Sequence, residues 1–340
     1  TASDVVGIAL GGTFTVTLDV NATVAGLVLG GDAGAQTLAL SNHTLTLNGS
    51  STVSAHGALS LNSSTLTGNG VLTNQGSFSL SHSTVNAALD NRGSLLARGN
   101  VSINGALSTA AGSEIVVRGD QFVGGSSLTV ANGFTNAGRI ELTSAWSGYG
   151  EALNVSSGVL LNDTTGRIES TVGTGGGRTL NAQLDNRGTL LVDQGLVLSR
   201  NAGHSNSGTV QVRGADLAVN SGTLTNVGTL SVSSGRTLTL NSATLTQGEG
   251  ATLDGNGGRI QLNSSTLNLG AGDFHTAAVA LGVSTSTING PGHLVNDGAL
   301  ELAHSTVNAA LDNRGSLLAR GNVSINGALS TAAGSEIVVR

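Results

Sequence analysis

The chain has 340 residues, a formal net charge of −6, Gly at 52 positions, a single Pro (Pro291), and neither Cys nor Met; all fourteen basic residues are Arg. Charged residues make up 10% of it, against about 25% in ordinary soluble domains, and aromatics only 2%, so any core must be built from Leu, Val, Ile and Ala. Without Cys there are no disulfides, haem attachments or thiolate metal sites; no basic run offers a grip to nucleic acid, and no stretch approaches the roughly 18 apolar residues that span a bilayer.

The first residues, TASDVVGIAL, carry no initiating Met and no charged leader, as expected of a processed protein or a fragment. Short alternating runs follow, such as FTVTL and TLTL, with Thr13, Thr15, Thr17, Thr44 and Thr46 on one side of the alternation. Period-2 patterning puts one face of a strand inward and the other outward. Gly, Asn, Asp and Ser fill the intervals and supply turns. The segment His82–Arg118 then recurs without a change as His304–Arg340. The offset that carries His82 onto His304 extends upstream without gaps, so 14–118 repeats as 236–340. The chain thus holds one and a half copies of a tandem unit of about 222 residues.

The regular pattern is interrupted by SAWSGYGEAL (144–153), which holds the only Trp and the only Tyr, Trp146 and Tyr149. It resumes at Leu184, where Asn186, Asn206 and Asn226 fall at equal intervals of 20, each in an Asn-x-Gly turn before an alternating strand. Elsewhere the step is 17, from Asn74 to Asn91 and again from Asn296 to Asn313. This spacing predicts stacked coils. Leu190, Val210 and Leu230 should share one inward column, and Val192, Val212 and Val232 the next. The fold expected is all-β: one continuous right-handed parallel β-helix (β-solenoid) over 1–340, with coils of about 17–21 residues. One coil alone cannot offset its ordering entropy, about 1–2 kcal/mol per residue, so stability must come from neighbours on both sides. Repeated Asn at Asn74, Asn91, Asn186, Asn206, Asn226, Asn296 and Asn313 can form an amide ladder along the axis. The chain stops at the counterpart of Arg118, so the array is expected to continue.

The run LDNRGSLLARGNVSINGALSTAAG resembles the repeats of filamentous-haemagglutinin-type exoproteins of Gram-negative bacteria, and GTLTNVGTLSVSSGRTLTLNSATLT resembles repeats of autotransporter passengers and giant surface adhesins. It is this resemblance that implies the right hand of the helix, together with export to the cell surface and service as a fibre or stalk. No secretion domain or membrane barrel is visible, so the export route is not legible.

Candidate chemistry is sparse. His43, His56, His82, His204, His275, His293 and His304 show no H-x-H or H-E-x-x-H spacing, so no metal site is assigned. Polysaccharide-active β-helices need clustered carboxylates. The nearest grouping is Asp185, Asp193 and Asp216 with Arg187 and Arg213, where Asp193 and Arg213, one lap apart, fit a cross-coil ion pair. GGDAG (30–34) and DGNGG (254–258) are single turns rather than a calcium-binding series. A Thr-x-Thr array of the ice-binding kind needs Thr in nearly every coil, and Val, Ser and Gln interrupt it. Sequons at Asn21, Asn62 and Asn154 are expected by chance in so Asn- and Thr-rich a chain. For Trp146 and Tyr149 two readings stand, a contact loop that stacks on sugars or a subunit, and a pair packed over an irregular coil. No catalytic, cofactor or metal site is assigned. The expected partners are further coils end to end or in the same chain, with glycans as an alternative and neither nucleic acid nor membrane insertion. The function expected is an extracellular structural fibre or stalk, then a glycan- or host-surface-binding adhesin, then, remotely, a polysaccharide-active enzyme.

Overall fold

A computed structural model describes residues 3–255 and 257–340; Thr1, Ala2 and Asn256, the last within the DGNGG turn, lie outside the described residues. Among the described residues every regular element is a β-strand, and the named strands pair in parallel, coil upon coil. The chain is a β-solenoid, divided into two compact units, Thr1–Ala182 and Gln183–Arg340.

In the first unit each coil contributes three strands. Val5–Ile8, Phe14–Leu18 and Ala22–Val24 make one lap, and Gly26–Leu29 returns to pair with Val5–Ile8. Alternation decides the packing. In Gln36–Ser41 the buried Leu38 and Leu40 face Leu59 and Leu61 of the next coil. Those face Phe78 and Leu80, then Leu95 and Ala97, then Ile115 and Val117. Each such side chain contributes roughly 1.5–3 kcal/mol on burial, and the column lets none face water at a coil boundary.

Coil length follows the corners rather than the strands. A short lap carries Val71 to its partner Ala88, whereas longer ones carry Asn100 to Ser127 and Arg139 to Arg167. The longer coils exceed the length expected from the sequence because their extra residues leave the sheet at one corner.

The second unit places the expected columns together. Leu190, Val210 and Leu230 are in register, as are Val192, Val212 and Val232, and Leu196 and Leu198 face Leu217 and Val219. The duplication is legible in backbone conformation too. Asn42, Ser63, His82 and Gly99 take positive φ, and so do their counterparts in the tandem repeat, Ser264, Thr285, His304 and Gly321. These residues make one sharp corner per coil, stacked along the unit.

Candidate functional site: amide and hydroxyl ladders and a cluster of corner loops

The repeated Asn residues are buried and joined side chain to side chain. In the first unit Asn74 Nδ2 donates to Asn91 Oδ1 at 2.8 Å. Thr109 takes the next place in register, its Oγ1 donating to Asn136 Oδ1 at 3.3 Å, and Asn136 donates to Asn162 at 2.8 Å. In the second unit Asn186 donates to Asn206, Asn206 to Asn226 and Asn226 to Gln247, at 2.7, 2.6 and 2.8 Å. Thr276, Asn296 and Asn313 form a further run. The second amide proton reaches a backbone carbonyl where the next coil turns, as from Asn74 to Ser94 O and from Asn206 to Thr229 O. An Asn side chain therefore closes its own corner and fixes the register of the next.

The glycine of the Asn-x-Gly turn is required for a different reason from the one the sequence suggests. At Gly93, Gly208, Gly228 and Gly315 the φ is ordinary, but a Cβ would come within 2.2–2.3 Å of the carbonyl oxygen of the equivalent glycine one coil back. Close approach of coil to coil, not turn conformation, excludes a side chain there.

Sequence reading missed a second ladder. At the positive-φ corner, buried Ser64, Ser83, Ser265, Ser286 and Ser305 each donate Oγ to the carbonyl two residues back, at 2.6–2.8 Å. Each also accepts the backbone N–H of the coil before, as from Ser64 N to Ser83 Oγ at 3.1 Å and from Ser265 N to Ser286 Oγ at 2.9 Å. The signal was present in the strings NSST, SHST, STST and AHST.

The outward face of the second unit also differs from expectation. Thr223, Thr244, Thr266, Thr287 and Thr306 are in register through five successive coils without interruption. The neighbouring column passes from Thr225 and Thr246 to Asn268 and Asn289. There Asn289 donates to Asn268 and Asn308 to Asn289, so the Thr-x-Thr pattern gives way to an exposed amide ladder.

The five residues weighed as a carboxylate grouping do not come together. Asp193 takes both Nε and Nη2 of Arg213, the cross-coil pair expected from the spacing. Asp185 pairs with Arg187 at 2.9 Å, and Asp216 accepts Thr237 N–H at 2.8 Å, so the five residues form separate local contacts. A carboxylate group the sequence did not suggest lies in the first unit. There Arg139 meets Glu114, Glu141 and Glu169, and Arg167 meets Glu169. These glutamates are held in ion pairs on a sheet face. Among the described residues no three His, Cys, Asp or Glu are grouped to hold a metal ion. His204 is buried between Leu184 and Leu224. Its Nδ1 accepts Leu184 N–H at 3.3 Å and its Nε2 lies 3.1 Å from Arg200 O, and burial pushes its pKa down.

Trp146 and Tyr149 stand in the middle one of three stacked corner loops, at 119–125, 144–150 and 171–177. Each fills the same corner of the first unit in consecutive coils, between Glu114–Gly119 and Ser126–Val130, then Arg139–Ser144 and Glu151–Asn162, then Arg167–Ser170 and Arg178–Asn186. The loops bond to one another, Ala145 N to Gly119 O at 2.8 Å and Thr174 N to Ser144 O at 3.0 Å. Phe122 at the first is 80% exposed, Trp146 52%, and Val172 at the third 53%, while Tyr149 is half-buried. Trp146 is thus the exposed member of the aromatic pair and Tyr149 the more buried one.

Beneath the loops lies a fully buried ion pair, Arg178 with Glu151. Arg178 Nε donates to Leu142 O, Nη1 to Tyr149 O and Nη2 to Thr171 O, each at 3.1 Å. Glu151 Oε1 accepts Gly119 N–H at 3.2 Å. One guanidinium thus ties down the second and third loops, and its partner the first. Burial pushes the Glu151 carboxyl up to about 7 against the pull of Arg178, and pushes Arg178 down against Glu151.

No family model matches the chain, and no curated protein matches its sequence. Among solved structures it aligns with the crystal structure of a hyper-glycosylated TibA fragment, glycosylated by TibC. The alignment covers 98% of this chain and 97% of that one, at 16% identity and a TM-score of 0.30. Likeness at that level bears on neither ligand nor activity.

Proposed function

We propose that the chain is a non-catalytic segment of an extracellular stalk or fibre, displayed on the surface of a Gram-negative-type bacterium and akin to filamentous-haemagglutinin or autotransporter passenger repeats. The observation that carries the reading is that the Asn and Ser side chains of the inner ladders are consumed inside each unit. Asn bonds Asn, and Ser bonds the backbone of the neighbouring coil. Such ladders recognise nothing outside the chain, and each added coil repeats the last coil's contacts. Their effect is mechanical, holding register under load. The carboxylates that cluster are neutralised by Arg139 and Arg167, which favours a structural over a catalytic role.

On this reading the solenoid is extended by further coils, in the same chain or end to end with another copy, through strand-edge pairing. Electron microscopy of the purified protein tests this. Filaments are expected. Rods that never join at any concentration would restrict the role to a stalk segment within one chain. A second reading, an adhesive surface, is favoured by the three corner loops.

A further inference from the structure

We propose that the three corner loops of the first unit and the groove at their foot form a binding site for a neutral saccharide. The reading is independent of whether the solenoid assembles end to end.

Three observations converge. First, the loops are built rather than tolerated. Elsewhere in this unit the same corner is turned in a few residues, as between Ser77–Ser81 and Thr84–Val85. Only here do three successive coils spend six or seven residues on it, over a buried ion pair. Burying two charges is costly even when they are paired, and no other described pair is wholly buried on both sides. The return is a fixed loop backbone.

Second, the loops carry no free charge. Asp120 is the sole ionisable group in 119–125, and its carboxylate is turned inward, taking Phe122 N–H at 2.9 Å, Val123 N–H at 3.2 Å and Arg98 at 2.9 Å. The other loop residues are Gly, Ser, Thr, Ala, Val, Gln and the aromatics. A partner recognised here is therefore uncharged. Exposed Phe122 and Trp146 supply apolar faces of the kind enriched in recognition sites.

Third, an open, shallow groove of about 360 Å3 runs along the foot of the loops. Gly125, Gly150 and Gly177, the last residue of each loop, leave it open. Asn100, Ser127 and Thr179 of the adjoining strands offer amide and hydroxyl groups along its side, and Glu151, the charged residue of the lining, keeps its carboxylate inward on Arg178 and Gly119 N–H. Three loops on consecutive coils span about 10 Å. That is short for a protein interface, which needs about 800 Å2 per partner, and suits a few sugar rings. Exposed rings on the first two loops and uncharged hydrogen-bonding groups along the foot of the same loops match a sugar's apolar C–H face and its hydroxyl edge.

Trp146 is the only Trp in the chain, so its fluorescence reports on this site alone. The whole protein is screened on a printed array of neutral, sialylated and sulfated oligosaccharides, and neutral hits are titrated by Trp fluorescence. The expected result is a saturable change with neutral probes. Phe122→Ala and Trp146→Ala, the latter followed by calorimetry, should each weaken binding at least tenfold with an unchanged melting temperature. Gly177→Leu places a side chain where a Cβ meets nothing within 4 Å; it should abolish binding by filling the groove while leaving the fold intact. Binding only to charged glycans, only to protein ligands, or to no probe overturns the proposal, as does neutral binding that survives all three substitutions.

Discussion

Val53 faces Asn74 across adjacent coils, and the Asn74 Oδ1 above it is buried without a hydrogen-bond partner. Every later acceptor in that run is filled, so Asn74 is where the inner ladder of the first unit begins. Thr109 shows what the missing residue can be, since its hydroxyl donates to the next Asn in line.

Val53→Thr should therefore stabilise the protein or leave it unchanged. The same exchange at Val117, buried with no acceptor waiting, should cost about 1–3 kcal/mol for a stranded hydroxyl. Thermal midpoints of the two variants, compared side by side, decide it. Equal losses would mean that Asn74 Oδ1 gains nothing from a donor.

Glycines that look alike in sequence should respond with opposite signs. At Gly208 a Cβ would sit 2.2 Å from Gly188 O, whereas at Gly195 it meets nothing within 4 Å and φ is not positive. Gly208→Ala should cost about 1–3 kcal/mol or more through overpacking. Gly195→Ala should gain about 0.4–1 kcal/mol by restricting the unfolded chain. Urea denaturation of both variants is the check.

His204 should make stability depend on pH. Burial holds its pKa below the ordinary 6.5, opposed by the Arg200 carbonyl and aided by the Arg200 charge. The unfolded chain thus takes up a proton near pH 6.5 that the folded chain refuses. Its contribution is complete above that pH and declines as pH falls below it toward the folded value. His204→Leu, which extends the Leu184 and Leu224 column, should flatten that part of the profile in melting curves taken from pH 5 to 8.

Arg178→Met removes the cation from the buried pair and frees the carbonyls of Leu142, Tyr149 and Thr171. Stranding Glu151 should cost about 3–5 kcal/mol. Amide hydrogen exchange should quicken first in 144–150 and 171–177. Exchange that rises evenly through the first unit would contradict the view that Arg178 acts on the loops.

Much of this was legible in the sequence because a parallel solenoid converts spacing into contact. The interval from Asn186 to Asn206 is one lap, so residues with the same offset must touch, and the Asp193–Arg213 pair follows from arithmetic alone. The corner loops were not legible in the same way. Three unequal insertions erase the period locally, and nothing in RGDQFVGG or TVGTGGGR states that Phe122, Trp146 and Val172 share one corner. Arg178 reads as one more surface arginine until the fold closes over it. The serine ladder lay in plain view, but its meaning depends on a positive-φ corner that no composition rule announces.

The ladders also have a direction. Inner amides donate toward the C-terminus, from Asn74 to Asn91 and from Asn186 through Asn226. Outer amides donate the opposite way, from Asn104 to Asn86, from Asn263 to Asn241 and from Asn326 to Asn308. The dipoles of the two sets oppose one another within each unit, so each set offsets part of the polarisation that the other builds up. A helix grows a macrodipole with every turn. This architecture lengthens with inner and outer amide columns running in opposite senses, so their dipoles do not all add in one direction.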